Sequence, residues 1–177
     1  MQVTTTQDGQ GQETSRAFEL TEFFAGSVQA SGLFEDRFGS VRRRFCVAMD
    51  GQFADGVFVL TEDFIYDDGE CQQRVWRVVP GQAGAFTATA ADIVGTAHGV
   101  AASHTITMVY RHEVMIEGRG VVLSFHDRIH RVDEVTAFSR AVVTKWGFKV
   151  GEVTICFRKV AARAFVADGE AGEREAA

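Results

Sequence analysis

The chain has 177 residues, 46% of them hydrophobic and 24% charged, enough to bury one sizeable core and too few for two comfortable domains. A formal charge of -6 and a pI near 5.4 argue against a nucleic-acid partner, which requires a basic face. The one basic run, Arg42-Arg43-Arg44, alternates across a strand pattern and makes no continuous patch.

Residues 1–16 (MQVTTTQDGQGQETSR) are polar, without the basic start and apolar run of a signal peptide, and read as a disordered tail. Ala17 to Phe24 is a short aromatic segment of the kind that plugs one end of a barrel, and it is the one helix expected. Ten period-two segments follow: Val28 to Phe34, Val41 to Asp50, Gly56 to Tyr66, Gln72 to Val79, Ala85 to Ala91, Ile93 to Ala97, Thr105 to Met115, Val121 to Ile129, Val135 to Thr144 and Glu152 to Val160. Turn residues at Asp36 to Gly39, Asp67 to Gly69 and Glu117 to Gly120 make most neighbours antiparallel hairpins. The expected fold is therefore all-β, an up-and-down antiparallel barrel of about eight to ten strands over residues 17–160, since closure removes exposed edges. Residues 161–177 run into small and acidic side chains and read as a second tail. No window is long and apolar enough for a membrane span, and Cys46, Cys71 and Cys156, with no CxxC, suit a reducing compartment; the expected location is the cytoplasm.

The densest mixture of charge and aromatic surface is LTEDFIYDDGE, beginning at Leu60. Its acids fall at the wrong offsets for an EF-hand loop and sit within a strand pattern, so no metal is expected. Asp67-Asp68-Gly69 suits a three-residue hairpin loop with Gly69 in the left-handed conformation. That turn sets a register in which Tyr66 opposes Glu70, Phe64 opposes Gln72, Glu62 opposes Arg74, Leu60 opposes Trp76 and Phe58 opposes Val78. If the aromatic face is the interior, Glu62 and Arg74 form an inward ion pair, either structural or aimed at a polar group of an otherwise apolar ligand. The opposite choice puts Val57, Val59 and Ile65 inside.

Several segments also carry a resemblance: FFAGSVQASGLFEDRFGSVRRRF, LTEDFIYDDGECQQRVWRV, ADIVGTAHG and SRAVVTKWGFKVGEVTICF, with Phe24, Gly26, Glu62, Phe64, Tyr66, Gly69, Arg74, Trp76, Asp92, Gly95, Asp127, Arg140, Lys145 and Gly147 as the motif residues. Over residues 23–158 the chain resembles an uncharacterised bacterial family of lipocalin-like (calycin) barrel proteins, often described as lipoproteins. The resemblance implies a calycin-type barrel and a link to lipid metabolism, with no settled activity to carry over. The sequence departs from that family in having no lipobox cysteine before residue 24 and in reading FHDRIHRV around Asp127.

Other constellations are weaker. His126 and His130 lie four apart on a strand pattern, about 13 Å, too far to share an ion. His112 lies on the face of Ile106, Met108 and Tyr110, where it could meet a haem or act as a base, though a lone histidine there is more often a satisfied core residue. No GxSxG and no cysteine–histidine partnership supports a nucleophile. Glu62, Tyr66, Tyr110, Asp127 and Arg140 either converge inside a barrel as acid–base groups or are structural, with Asp127 capping a bend and Arg140 pairing with it, and the second is favoured. Two functions follow. The first is a carrier or sensor of a small hydrophobic, lipid-like ligand such as a fatty acid, lined by Glu62, Phe64, Tyr66, Arg74, Trp76, Met108, Tyr110, Asp127 and Arg140, with no cofactor and with peripheral lipid contact allowed. The second is a barrel enzyme, an isomerase, cyclase or hydratase. In the pocket, Arg74 is the expected anchor for a carboxylate or other polar head.

Overall fold

The computed structural model describes residues 18–116 and 118–160. Ala17, Glu117 and the expected tails 1–16 and 161–177 lie outside the described residues. Ten strands in chain order follow one turn of helix: α1 (Leu20–Phe23), β1 (Gly26–Asp36), β2 (Val41–Ala54), β3 (Val57–Tyr66), β4 (Cys71–Pro80), β5 (Ala85–Thr89), β6 (Ala97–Ala102), β7 (Thr105–Ile116), β8 (Arg119–Arg131), β9 (Thr136–Lys145) and β10 (Phe148–Lys159). Every strand pairs antiparallel with its sequence neighbours, and β1 closes on β10 from Val28↔Lys159 to Asp36↔Gly151, so no edge is left. The all-β up-and-down barrel read from the sequence is the observed fold.

Alternation decides which side chains enter. Phe58, Leu60, Glu62 and Phe64 of β3 are buried while Asp63 and Ile65 face solvent, so the aromatic face is the interior and the opposite choice is excluded. The β3–β4 register is the one dictated by the turn, with Glu62↔Arg74, Leu60↔Trp76 and Phe58↔Val78 paired. Tyr66 donates its backbone N–H to the Glu70 carbonyl at 2.9 Å, and Gly69 has φ 84.

One end of the barrel is closed. Phe18, Phe23, Phe24 and Phe157 form a chain of edge-to-face rings with centroids 5.1–5.2 Å apart, lying over Phe58, Val78, Phe86 and Ile106. The expected helix shrinks to Leu20–Phe23 because Glu19 supplies no side-chain cap; packing, together with the Phe18 N–H to Ser103 carbonyl bond, holds the segment. Gly51 is required beneath it, since a Cβ there would lie 2.0 Å from the Phe24 carbonyl oxygen.

One strand is displaced from expectation. Residues 93–96 are a loop, held to β7 by the Ile93↔His112 bridge and the Val94 N–H to Arg111 carbonyl bond, and the sixth strand runs from Ala97 to Ala102. Its inward positions are Ala97, Gly99 and Ala101, too small to signal by hydrophobic alternation, because the Phe86 ring fills the space over Gly99.

Candidate functional site

The inward side chains grade from dry to wet along the barrel. Near the plug, Phe58 and Ile106 are wholly buried, whereas towards the turns at the other end Phe34, Phe45, Tyr66, Gln72, Tyr110 and His112 keep partial exposure while still facing inward. Solvent therefore reaches the interior from the end that carries the Asp67–Gly69 turn and the loop between β5 and β6. Two surface concavities, of about 420 Å³ against β1–β3 and about 120 Å³ beside the plug, lie elsewhere.

Below that mouth lies a charged cluster. Arg74 Nη1 is 3.6 Å from Glu62 Oε2, its Nε donates to Asp92 Oδ2 at 2.8 Å, and its Nη2 is 3.0 Å from His112 Nε2. His112 Nε2 is also 2.9 Å from Asp92 Oδ2, so this nitrogen can donate to Asp92 or accept from Arg74, but not both. Trp76 donates its indole N–H to Glu62 Oε2 at 3.2 Å. Asp92 is delivered by the β5–β6 loop, whose backbone is pinned to β7: the Asp92 carbonyl accepts from Glu113 N–H and Val94 N–H donates to the Arg111 carbonyl. Asp92 Oδ1 is buried with no partner in the protein.

Electrostatics separates the carboxylates. Burial pushes Glu62 up to about 7, against the opposing pull of the Arg74 charge and the Trp76 hydrogen bond. Burial would raise Asp92 as well, but the hydrogen bond from His112 and the charge and hydrogen bond of Arg74 hold it well below the usual carboxylate range. Burial raises Asp127, opposed by the Ser139 hydroxyl, which donates to Asp127 Oδ1. Burial also raises the Tyr110 phenol.

Aromatic surface surrounds these groups. Tyr110 stacks on Phe125 at 5.1 Å and takes the edge of Trp76 at 5.6 Å, while the Arg74 guanidinium lies 5.3 Å from the Phe64 ring. At the rim, Tyr66 donates its hydroxyl to Gln72 Oε1 at 3.1 Å. The Arg43 guanidinium lies 3.5 Å over the Tyr66 ring while binding Asp68 and Glu70.

Of the residues expected at the site, Glu62, Phe64, Tyr66, Arg74, Trp76, Met108, Tyr110 and Asp127 all face inward. Arg140 does not. Ala137, Ser139, Ala141 and Val143 take the inward positions of β9, which puts Arg140 outside, paired with Glu152 on β10. The convergence of Arg140 with the acid–base groups is corrected accordingly, and Asp127 is served by Ser139 instead. Asp92 is not among the site residues expected from the sequence, and His112, weighed there as a base or haem contact, reads as a satisfied core or rim residue. Their signals were a motif position in ADIVG and a shared parity with Tyr110, but only the loop's docking on β7 joins them to Arg74.

Among the described residues no group of histidine, cysteine and acidic side chains is arranged to hold a metal ion. No curated protein matches the chain. Among solved structures it is similar to an S-type phycobiliprotein lyase from Guillardia theta, at TM-score 0.58 and 10% identity over 80% of this chain and 91% of that one. It is also similar to a DUF3598-family protein of unknown function from Nostoc punctiforme, at TM-score 0.60 and 9% identity over 82% of this chain and 51% of that one, so it spans about half of that longer chain. Identities this low speak for a shared lipocalin-like barrel fold alone. At the level of sequence, the model of the family described as protein of unknown function (DUF3833) matches residues 2–159, and the chain belongs to that family.

Proposed function

We propose that the open end of the barrel binds a small, largely apolar, lipid-like molecule whose polar group is held by Glu62, Arg74, Asp92 and His112. The observation that carries this reading is the solvent-reachable charged cluster inside an aromatic-walled barrel, with Asp92 Oδ1 buried and unpartnered. A buried acceptor of this kind calls for a donor, which a ligand's polar group can supply as well as an ordered water.

The charges favour a ligand that brings hydrogen-bond donors over one that brings a carboxylate. Glu62, Asp92 and Asp127 share the interior with Arg74, whose Nε is already engaged by Asp92. A fatty acid would set a fourth carboxylate among them, whereas a hydroxyl or amide could donate to Asp92 Oδ1. The test is titration with oleyl alcohol and oleate at a pH above the Glu62 value of about 7. The alcohol should bind more tightly. Tighter oleate would overturn the donor preference, and no saturable binding of either would overturn the binding reading.

A second reading rests on the Glu62 pKa near neutrality, which suits a general base in an isomerase, cyclase or hydratase. Product formation abolished by Glu62→Gln, with binding retained, would support it. The free cysteines, with Cys46 and Cys71 exposed, are in keeping with a reducing compartment in either case.

A further inference from the structure

The turns at the mouth carry a feature that ligand binding inside the barrel does not require. The β1–β2 turn and the β9–β10 turn are neighbours, joined by the Arg37 N–H to Val150 carbonyl bond at 3.0 Å. Between them they expose three aromatic side chains: Phe38 at 77%, Trp146 at 87% and Phe148 at 75%. A single exposed apolar side chain is ordinary, but three aromatic rings on two adjacent tips at one end of a barrel form a patch.

Trp146 also stands where a turn does not want it. It has φ 52 and is followed by Gly147 at φ 85, the pattern of a two-residue hairpin loop that favours Asn-Gly. A bulky residue in the left-handed region is strained, and here the ring reaches solvent instead of any core. Asp55-Gly56 and Ala83-Gly84 build the same turn with a polar or small first residue, so the turn itself does not account for an exposed indole at Trp146.

The patch is basic, although the whole chain is acidic. Arg37 lies 4.7 Å over the Phe38 ring and Lys145 Nζ 4.6 Å over the Trp146 ring, with Arg42 and Lys149 beside them. Part of this charge is taken up, Asp36 pairing with Arg42 and Glu152 with Lys149 and Arg140, while Arg37 and Lys145 stand outside these pairs. Aromatic tips backed by cations match the headgroup level of an anionic bilayer, where indole sits at the interface and lysine and arginine meet phosphate. A flat protein interface wants a broader surface, roughly 800 Å² per partner.

We propose that the β1–β2 and β9–β10 turns dock the mouth of the barrel onto an anionic lipid surface, with Trp146, Phe38 and Phe148 inserted and Arg37, Arg42, Lys145 and Lys149 on the headgroups. This holds whatever the barrel carries, and it sets the opening facing the membrane. The experiment is co-sedimentation of the full chain with vesicles of phosphatidylcholine alone or mixed with phosphatidylglycerol, read together with tryptophan emission. Trp76 is buried and Trp146 exposed, so a blue shift reports Trp146. Binding should need phosphatidylglycerol, weaken with added salt, and fall about tenfold in Trp146→Asn and in Lys145→Glu/Lys149→Glu. Trp146→Asn suits the turn better and keeps the barrel folded, so its loss of binding cannot be ascribed to unfolding. Undiminished binding by Trp146→Asn, equal binding to both vesicles, or a concentration-dependent dimer that buries Trp146 without lipid would each overturn the proposal.

Discussion

Arg74 donates its Nε–H to Asp92 Oδ2 across 2.8 Å, although Asp92 stands on a loop and not on the strand facing Arg74. The guanidinium thus neutralises Asp92 and faces Glu62, and both acids would be left buried without it. Arg74→Met should cost about 3–5 kcal/mol, the usual penalty for removing one partner of a buried pair. Adding Asp92→Asn should recover at least ~1 kcal/mol of that. Urea unfolding of the two single variants and the double variant measures the coupling, and strictly additive losses would sink it.

Gly69 has φ 84, and a Cβ built on it meets nothing within 4 Å. Any penalty at this position is therefore conformational and not steric. Gly69→Val should destabilise the barrel by roughly 1–3 kcal/mol, while Gly69→Asn, better tolerated in the left-handed region, should cost clearly less. Equal unfolding midpoints for the two variants would contradict this account of the turn.

Arg140 points away from the interior and pairs with Glu152 in solvent. Arg140→Ala should leave the unfolding midpoint nearly unchanged and ligand affinity untouched, because an exposed pair gains little over hydration. A drop in affinity would restore Arg140 to the site.

The hairpin of β3 and β4 was legible because two local signals agreed, a period of two and a three-residue turn ending in glycine. Together they fixed the Glu62–Arg74 pairing and the inward placement of Phe64, Tyr66 and Trp76. What was not legible depended on contacts distant in sequence. Asp92 reaches Arg74 only because its loop docks on β7, and β6 turns small residues inward because Phe86 occupies their space. Arg140 was misplaced for a different reason: the charge suggested an interior partner for Asp127, while the parity of Ala137, Ala141 and Val143 already pointed it outward.

Glu62 carries the clearest pH signature. Its pKa is about 7 in the folded chain against 4.5 for a free carboxyl, so between those values the native state binds the proton more tightly than the unfolded state does. Stability from this group is fully present below pH 4.5, declines as pH rises, and is lost above about 7. Glu62→Gln cannot ionise, and its amide oxygen can still accept from Trp76 Nε1, so burial no longer forces a charge into the interior. At alkaline pH the variant should be more stable than the parent by roughly 1–3 kcal/mol, the difference shrinking to nothing as pH falls towards the ordinary carboxylate range. Asp127, also raised by burial, slopes both proteins in the same direction, so the difference between their curves isolates Glu62. Chemical unfolding of both at several pH values gives that difference directly. If the variant is instead less stable throughout, the attraction between Glu62 and Arg74 outweighs the burial of the carboxylate, and Glu62 is ionised in the folded protein at neutral pH.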